Sequence, residues 1–321
     1  MHPIVFYIPW LNSPIYSYGV MMVCAFLATQ WLAAKLAKRV GYDPEIFVNL
    51  ALFAMVAGVV GARLSHILEN LSDFTRPDRT VWQNFYAMIN IRSGGLTFYG
   101  GLLLAFPVCL GYVIYRKVPG RVAMDIVAPC IMLGLGIGRI GCFLNGCCYG
   151  ATANVPGAVR FPYDSNAYVD QFNNQLNNWG EQLNHAVPPQ LLVTTADGIR
   201  LRSPEEIQND PQLVALAAAE KSNPVIPTQL YSTFTSLLIM AILLCYFTMP
   251  HSPGRVFALM LMIEGPSRYL LELLRVEPAI LGRMSLSMLL GQLLFVAGAI
   301  MWFAFAPSHK QLSGKLTSSL A

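Results

Sequence analysis

The stretch "GLGIGRIGCFLNGCCYG", residues 134–150, is apolar and spaced by glycines, yet it contains one arginine and ends among an asparagine and three cysteines. In a helix, Gly134, Gly138 and Gly141 lie on one face at small-xxx-small spacing, which lets a neighbouring helix approach closely. Close packing explains these glycines but not Arg139, because an ionisable side chain inside a membrane is costly. The stretch therefore predicts a closely packed membrane helix with a functional cation near its outer end.

The composition of the whole chain favours a membrane protein. Of its 321 residues, 55% are hydrophobic and only 12% are charged, whereas a soluble domain usually carries about 25% charged residues. The mean hydropathy is +0.50. The net charge of +4 is mild and the lysines and arginines are scattered along the chain, so we expect no nucleic-acid partner.

Seven apolar segments approach the roughly 20 residues that cross a bilayer. They lie near 14–36, 46–68, 96–115, 123–145, 228–249, 254–274 and 285–306. The first lacks the basic start and the small-residue cleavage site of a signal peptide, so we interpret it as an uncleaved span. The predicted fold class is an all-α polytopic membrane protein with seven transmembrane helices. The expected divisions are spans one to four in 1–145, a periplasmic head at 146–226, spans five to seven in 227–306, and a cytoplasmic tail at 307–321.

The positively charged residues set the expected orientation. With seven spans, one side of the membrane receives Lys35, Lys38, Arg39, Arg116, Lys117, Arg121, Arg255, Lys310 and Lys315. The opposite loops hold Arg76, Arg79, Arg92 and Arg283, partly offset by Asp73 and Asp78. The positive-inside rule then places the N-terminus outside and the C-terminus in the cytoplasm.

The predicted head is the one long polar segment. It is rich in Asn, Gln and Pro and then becomes strand-like at "QLLVTTADGIRL", where Asp197-Gly198 has the sequence of a hairpin turn. A short helix is predicted in "DPQLVALAAAEKS". We therefore expect a small soluble head between spans four and five.

Charged residues recur in span six, in the segment "EGPSRYLLELLR". Glu264, Arg268, Glu272 and Arg275 are four, four and three residues apart and share one narrow helix stripe. One interpretation is that Arg268 and Glu272 pair and lock helices together. Arg139 has no acid within four residues on its own helix, so it requires either Glu264 or Glu272 or an anionic ligand.

Two further polar groups lie at the outer side. In "RSGGLTFYGG", residues 92–101, pairs of glycines flank Tyr99 and suggest irregular backbone lining a cavity. Tyr99 is equally explained as an interfacial tyrosine. Arg63, His66 and Glu69 put polarity on one side of span two, where a histidine is more often hydrogen-bonded than catalytic.

Asp125 lies at the inner end of span four, roughly 20 Å from Arg139 by helical rise. That distance excludes a pair with Arg139. Arg121, one turn earlier, is the expected partner, and Asp125 is interpreted as structural.

The cysteines divide into two sets. Four lie within predicted spans and are expected to be buried small hydrophobes: Cys24, Cys109, Cys130 and Cys245. Cys142, Cys147 and Cys148 cluster at the outer end of span four. No CxxC spacing or nearby histidine accompanies them, so we expect no metal. In an oxidising compartment a disulfide within this cluster is plausible.

Short motifs extend along most of the chain. They are "YSYG" at 16–19, "GARLSHIL" at 61–68, "GGLTFYGG" at 94–101, "IPTQLY" at 226–231, "SRYLLELLR" at 267–275 and "GQLL" at 291–294. With the stretch around Arg139, they resemble the prolipoprotein diacylglyceryl transferase family, whose signature is G-R-x-G/A-N-F-x-N-x-E-x-x-G. In register with it stand Gly138, Arg139, Gly141, Phe143, Asn145 and Gly150. Cys142 and Cys147 replace the asparagine and the glutamate of the signature.

The resemblance implies an activity. It is the transfer of the diacylglyceryl group of phosphatidylglycerol to the lipobox cysteine thiol of a preprolipoprotein signal peptide, the first step of bacterial lipoprotein maturation. The implied products are a thioether-linked precursor and glycerol phosphate, with neither metal nor dissociable cofactor. The implied location is the bacterial cytoplasmic (inner) membrane, within the lipid bilayer, with the active site towards the outer leaflet.

The resemblance also implies roles for individual residues. Arg139 is expected to bind the lipid phosphate bidentately, and Arg268 and Tyr99 are the expected catalytic residues. Further substrate-binding residues are Asn145, Tyr18, Arg63 and Glu272. The structural residues are Gly138, Gly141, Gly150 and Asp125. Tyr99 replaces the histidine of the family motif, and a phenol with a pKa of about 10 is a poor base, so we expect Tyr99 to orient substrate.

Two other functions fit parts of the pattern. A secondary transporter for an anionic metabolite would bind its cargo at Arg139 and Arg268, but such folds usually contain paired repeats, and none is visible in this sequence. A thiol oxidoreductase would use Cys147 and Cys148. Incubation with phosphatidylglycerol and a lipobox peptide separates the three hypotheses.

Overall fold

The computed structural model describes residues 4–8, 13–76, 80–90, 95, 97–163, 165–173, 187–195, 198–275 and 284–305. In these residues the long helices are α1 (Ser17–Val40), α2 (Pro44–Glu69), α5 (Phe98–Tyr115), α6 (Gly120–Asn145), α10 (Thr228–Thr248), α11 (Arg255–Leu273) and α12 (Leu286–Ala304). The short helices are α3 (Leu71–Phe74), α4 (Val81–Ile89), α7 (Asn166–Asn173), α8 (Pro204–Ile207) and α9 (Pro211–Ala219). The strands are β1 (Ile4–Ile8), β2 (Ser13–Tyr16), β3 (Leu192–Thr195) and β4 (Gly198–Leu201).

Part of the sequence-based prediction lies outside the described residues. This holds for the tail at 307–321 and for Asp78, Arg79, Arg92, Asp197, Arg283, Lys310 and Lys315. The predicted orientation depends on several of these charges, so it remains a prediction.

The long helices have the length and composition of membrane spans. Five are long and apolar enough to cross a membrane, namely α1, α2, α6, α10 and α12. Helix α5 contributes a shorter apolar stretch, Tyr99–Tyr115, and α11 contains four charged residues. The chain is therefore a multi-pass membrane protein. The long helices follow the seven predicted segments, whereas the number of spans remains a prediction.

Helix α6 lies at the centre of the bundle, where it contacts α1, α5, α10 and α11. Ile126 and Ala128 of α6 are fully buried within the apolar core. The other extensive helix contacts join α2 with α5 and α11 with α12. We call the end of the bundle where α6 ends and α10 begins the head end, because residues 146–227 connect the two helices there.

Glycines bring α2 and α5 into backbone contact at the head end. A Cβ added to Gly61 would overlap the carbonyl oxygen of Gly100, and one added to Gly101 would lie 2.9 Å from the carbonyl oxygen of Gly58. The predicted irregular backbone at Gly100 and Gly101 is therefore wrong. Both residues are helical within α5, and they lack side chains so that the two helices can touch.

Asp125 stabilises the opposite end of the bundle. Its buried carboxylate accepts hydrogen bonds from the backbone N–H groups of Gly254, Val256 and Phe257 at 2.6, 2.9 and 3.1 Å. These donors open α11, where backbone N–H groups have no helical partner and the helix dipole favours a negative charge. The predicted pairing with Arg121 is wrong, because the Arg121 guanidinium lies over the Phe305 ring, 4.3 Å from its centroid.

The segment between α6 and α10 contains the predicted hairpin and helix. Strands β3 and β4 pair antiparallel with Thr195 opposite Gly198, and α9 begins at Pro211 behind Asp210, whose side chain accepts from the backbone of the first helical turn. Both elements are confirmed. Tyr163, Tyr168 and Leu191 are buried beside them.

The structure is mostly helical but not all-α as predicted, because it also contains two antiparallel strand pairs. Besides the head hairpin, β1 and β2 pair antiparallel ahead of α1, with Tyr7 opposite Pro14. The apolar pattern of the first predicted span extends back to residue 14, so no boundary between strand and helix is visible in the sequence. The helix begins only at Ser17.

Candidate active site

At the head end, α6, α10 and α11 enclose a small cleft. Its lining residues are Arg139, Cys148, Thr228, Ser232, Glu264, Arg268, Leu271, Glu272 and Arg275. The charged stripe of α11 and the single arginine of α6, which were singled out in separate segments, thus meet at one place. The cavity measures about 30 Å³, which holds a water molecule or two but no lipid headgroup.

Two guanidinium groups in the cleft have donors that no described residue satisfies. The Nε atoms of Arg139 and Arg268 are buried and lack a hydrogen-bond partner in the described part of the chain. Arg268 donates one long hydrogen bond, 3.5 Å from Nη2 to the Ser287 hydroxyl. A buried donor without an acceptor costs about 1–3 kcal/mol, and more when it is charged. An anion bound between these side chains would remove that cost.

Glu264 lines the same cleft one turn before Arg268. Among the described residues, its carboxylate forms no hydrogen bond or salt bridge, and Arg139 likewise pairs with neither Glu264 nor Glu272. Of the alternatives posed for Arg139, a direct salt bridge to span six is not formed among the described residues, although Glu264 lies close enough to Arg139 to interact with its charge. Besides the Glu272–Arg275 pair, the cleft holds two guanidiniums and one carboxylate, that of Glu264, which form no salt bridge among the described residues.

Glu272 lines the cleft, and its predicted role in substrate binding stays a prediction. It is 4% exposed, lies 3.5 Å from Arg275 Nη1, and accepts a hydrogen bond from the Ser285 hydroxyl at 3.0 Å. Ser285 in turn caps the first turn of α12. Glu272 thus pairs three residues onward, and not with Arg268 as the four-residue spacing suggested, and it ties the end of α11 to the start of α12.

Two residues of the motif "IPTQLY" position the chain beside the cleft, and the sequence analysis did not assign them a role. Gln229 is buried and donates from Nε2 to the Cys147 carbonyl at 2.8 Å, while Thr228 donates to the Cys148 carbonyl at 2.9 Å. A Cβ on Gly150 would lie 2.7 Å from both the Leu274 carbonyl oxygen and the Thr228 methyl group. The signal for these roles was the resemblance of the motif itself.

The three outer cysteines are brought together by the end of α6. Gly146 adopts a left-handed conformation (φ 73°), and the Cys147 N–H donates to the Cys142 carbonyl at 3.1 Å, as in a Schellman motif. None of the seven cysteines forms a disulfide in the structure. Hydrogen bonds from Cys142 and Cys147, together with the charges of Arg275 and Arg139, lower the pKa of the Cys148 thiol.

Arg63 is not among the residues that line the cleft, and its predicted role in substrate binding stays a prediction. It is buried, and its guanidinium donates to the carbonyls of Met88 (2.8 Å), Ala87 (2.7 Å), Asn90 (2.9 Å) and Gly95 (3.0 Å). These carbonyls lie at the C-terminal end of α4 and in the loop that follows. A cation there satisfies the last carbonyls and the negative end of the helix dipole.

The remaining predicted residues are not among those that line the cleft. Tyr99 lies on the first turn of α5 and is 51% exposed. Tyr18 contacts α6 at Gly141, where an added Cβ would lie 3.3 Å from the tyrosine ring. A Cβ on Gly138 would meet no atom of a described residue within 4 Å outside its own helix, so its predicted packing role is wrong for this part of the chain. Asn145 is the last residue of α6.

Fold and site together define a multi-pass membrane protein with a cationic cleft at one end of its helix bundle. Comparison with known families gives the particular assignment. The family described as prolipoprotein diacylglyceryl transferase matches residues 3–304, and the chain belongs to this family.

Individual relatives agree with the family. The phosphatidylglycerol–prolipoprotein diacylglyceryl transferase of Clostridium tetani is 26% identical over 279 residues, 87% of each chain. The protein of the same name from Corynebacterium glutamicum is 27% identical over 295 residues, 90% of this chain and 79% of that one. The one from Rhodopirellula baltica is 35% identical over 155 residues, which is 48% of this chain and only 31% of that relative.

Proposed function

We propose that this protein transfers the diacylglyceryl group of phosphatidylglycerol to the lipobox cysteine of a preprolipoprotein. The thiol sulfur attacks the glyceryl carbon that carries the phosphate oxygen. A sulfur–carbon bond forms, the carbon–oxygen bond breaks, and its electron pair leaves with glycerol phosphate. The thiol proton passes to a base, and the reaction needs no oxidant or reductant.

The observation that carries the proposal is the pair of buried Nε donors on Arg139 and Arg268. Negative charge grows on the phosphate as it leaves, and fixed donors in a water-poor cleft stabilise such charge most effectively. A guanidinium offers two parallel donors to phosphate oxygens, which an ammonium cannot. Because the cavity holds about 30 Å³, its walls must separate when the lipid headgroup enters.

Glu264 is the proposed acceptor of the thiol proton. It lines the cleft with both arginines, whereas Tyr99 lies half-exposed on α5 and is not among the lining residues. The arginines favour a thiolate near them, since an opposite charge stabilises the ionised form. We therefore assign Tyr99 an indirect role, either in orienting the substrate or in positioning the packed helices α2 and α5.

We place the cleft towards the outer leaflet of the bacterial inner membrane, with seven spans and an outer N-terminus. The distribution of lysines and arginines supports this orientation. The seven long helices also begin and end alternately at the head end and the opposite end, as seven successive spans would. The transporter hypothesis has no support from the family or from its relatives.

The direct test measures lipid transfer. Purified protein in phosphatidylglycerol-containing vesicles is given a lipobox peptide, and the peptide mass is followed for the addition of a diacylglyceryl group. A peptide with serine in place of the lipobox cysteine serves as the negative control. Failure of folded protein to modify the cysteine peptide would contradict the proposal.

The first prediction concerns Arg139→Lys in this assay. We expect activity to fall by roughly a hundredfold or more, because the fixed bidentate donor is lost from the leaving phosphate. The matched control is Arg255→Lys. Arg255 lies at the opposite end of α11, where it packs on Trp302, and this variant should retain wild-type activity. Near-normal turnover of Arg139→Lys at equal protein level would contradict the proposed role of Arg139 in binding the phosphate.

A further inference from the structure

Three thiols meet beside the cleft, in a place where the family signature has an asparagine, a glutamate and no required cysteine. The Sγ atoms of Cys142, Cys147 and Cys148 all lie within 4.8 Å of one another. The absence of CxxC spacing predicts no metal at these residues. In the structure, the end of α6 and the turn that follows it bring the three sulfur atoms together although the sequence lacks that spacing.

The backbone holds these thiols together from both sides. Gly146 reverses the chain in a Schellman motif, which places Cys142 and Cys147 next to each other at the end of α6. Cys148 has a positive φ of 57°, a conformation that costs a non-glycine residue energy and turns its side chain back towards the other two. The carbonyls of Cys147 and Cys148 are fixed by Gln229 and Thr228. The arrangement is therefore set by the fold and does not depend on the thiols themselves.

We propose that Cys142, Cys147 and Cys148 bind one thiophilic d¹⁰ metal ion, Cu(I) or Zn(II), through three thiolates. A metal–sulfur distance of about 2.3 Å requires sulfurs roughly 3.8 to 4.0 Å apart. The observed limit of 4.8 Å comes within reach of that value by small side-chain rotations. Thiolate ligands select soft ions over magnesium or calcium. Three ligands are enough for Cu(I), and Zn(II) would add a water molecule.

The surrounding charges favour a thiolate site. Three thiolates leave a net charge of −1 with Zn(II) or −2 with Cu(I). Arg139 and Arg275 line the cleft together with Cys148, so their guanidiniums offset the excess negative charge. The metal would thus fix the Cys148 side chain at the wall of the cleft.

The test uses the full-length protein in detergent, reduced with a phosphine and freed of metal. Cu(I) or Zn(II) is titrated against a coloured chelator, and sulfur-to-metal charge-transfer absorption is followed for Cu(I). We expect one ion per chain for at least one of the two metals. A Cys142→Ser, Cys147→Ser, Cys148→Ser variant should lose this ion. The matched control, Cys24→Ser with Cys245→Ser, removes two exposed cysteines and should keep it.

A second variant protects the test against misfolding. Cys142→Asn with Cys147→Glu restores the residues of the family signature, so it should fold and should bind neither metal tightly. Unchanged binding in this variant or in the triple serine variant would overturn the proposal. So would reduced wild-type protein that competes for neither ion. Metal binding is measured without the lipid-transfer reaction, so its failure would leave the proposed function standing.

Discussion

At the scale of single residues, the cleft contains buried guanidinium donors that no described acceptor satisfies. Arg139 and Arg268 each bury an Nε donor without a described acceptor, whereas Arg63 directs four hydrogen bonds to backbone carbonyls. Identical side chains are thus used in two ways. Arg63 stabilises a loop, whereas the two cleft arginines bury Nε donors that no described residue accepts, and the proposed function assigns these donors to a ligand.

A prediction at this scale concerns Glu264→Gln. If the carboxylate accepts the thiol proton, the variant should lower kcat by roughly a hundredfold or more, within the usual contribution of general-base catalysis. Its KM for phosphatidylglycerol should not rise, because removing a negative charge from the cleft does not weaken phosphate binding. Transfer rates are measured over a range of lipid concentrations. A raised KM with an unchanged kcat would show that Glu264 only shapes the lipid site.

A second residue-scale prediction concerns Tyr99→Phe. Because Tyr99 lies on α5 and does not line the cleft, its hydroxyl should contribute about one hydrogen bond, roughly 1–2 kcal/mol or five- to thirtyfold in rate. The pH optimum of transfer should stay in place. A loss of several thousandfold with intact folding would instead identify the phenolate as the base.

At the scale of elements, backbone contact between helices depends on a few glycines. Gly61 of α2 meets Gly100 of α5, and Gly265 of α11 meets Gly291 of α12, where an added Cβ would lie 2.5 Å from the Gly291 carbonyl oxygen. The first contact joins two of the motifs on which the family resemblance depends, and the second involves Gly291 of the motif "GQLL". These motifs therefore contain residues needed for helix packing as well as residues with proposed roles in the reaction.

The α2–α5 crossing gives a prediction with a matched control. Gly61→Ala should lower the free energy of unfolding by about 1–3 kcal/mol, because its Cβ would meet backbone that cannot move aside. Gly58→Ala, one turn earlier, finds open space and should be neutral or stabilising by about 0.5–1 kcal/mol through the helix preference of alanine. Thermal unfolding in detergent compares the two variants. Equal melting temperatures for the Gly61→Ala and Gly58→Ala variants would contradict a close backbone contact between α2 and α5 at Gly61.

The sequence predicted the long helices well because apolar composition and length are local properties. It also placed Arg139 and the α11 stripe in one site, since charges in apolar helices require partners. The sequence did not predict hydrogen bonds from side chains to backbone groups that are distant along the chain. The hydrogen bonds of Asp125 lie about 130 residues away along the chain, and those of Arg63 go to carbonyls of α4 and its loop. No local pattern encodes such contacts.

At the scale of the whole molecule, the two ends of the bundle differ in how their charges are satisfied. The head end holds the cleft with its available donors. The opposite end holds Asp125, whose carboxylate accepts three backbone hydrogen bonds and lies 3.6 Å from Nε2 of the buried His251. His251 Nδ1 lies 2.8 Å from the Met249 carbonyl and donates to it. Nε2 therefore faces a carboxylate, which favours a proton on it.

The last prediction follows from that geometry. Burial alone would lower the pKa of His251, but the Asp125 carboxylate and the Met249 carbonyl raise it above its ordinary value. A histidine whose pKa is raised in the folded state contributes stability that is complete below about pH 6.5 and is lost as the pH rises through the raised value. The melting temperature in detergent should therefore fall over that interval. His251→Gln should flatten the fall, whereas His66→Gln, at the head end, should leave it in place. Equal slopes for wild type and His251→Gln would contradict a charged His251 at this end of the bundle.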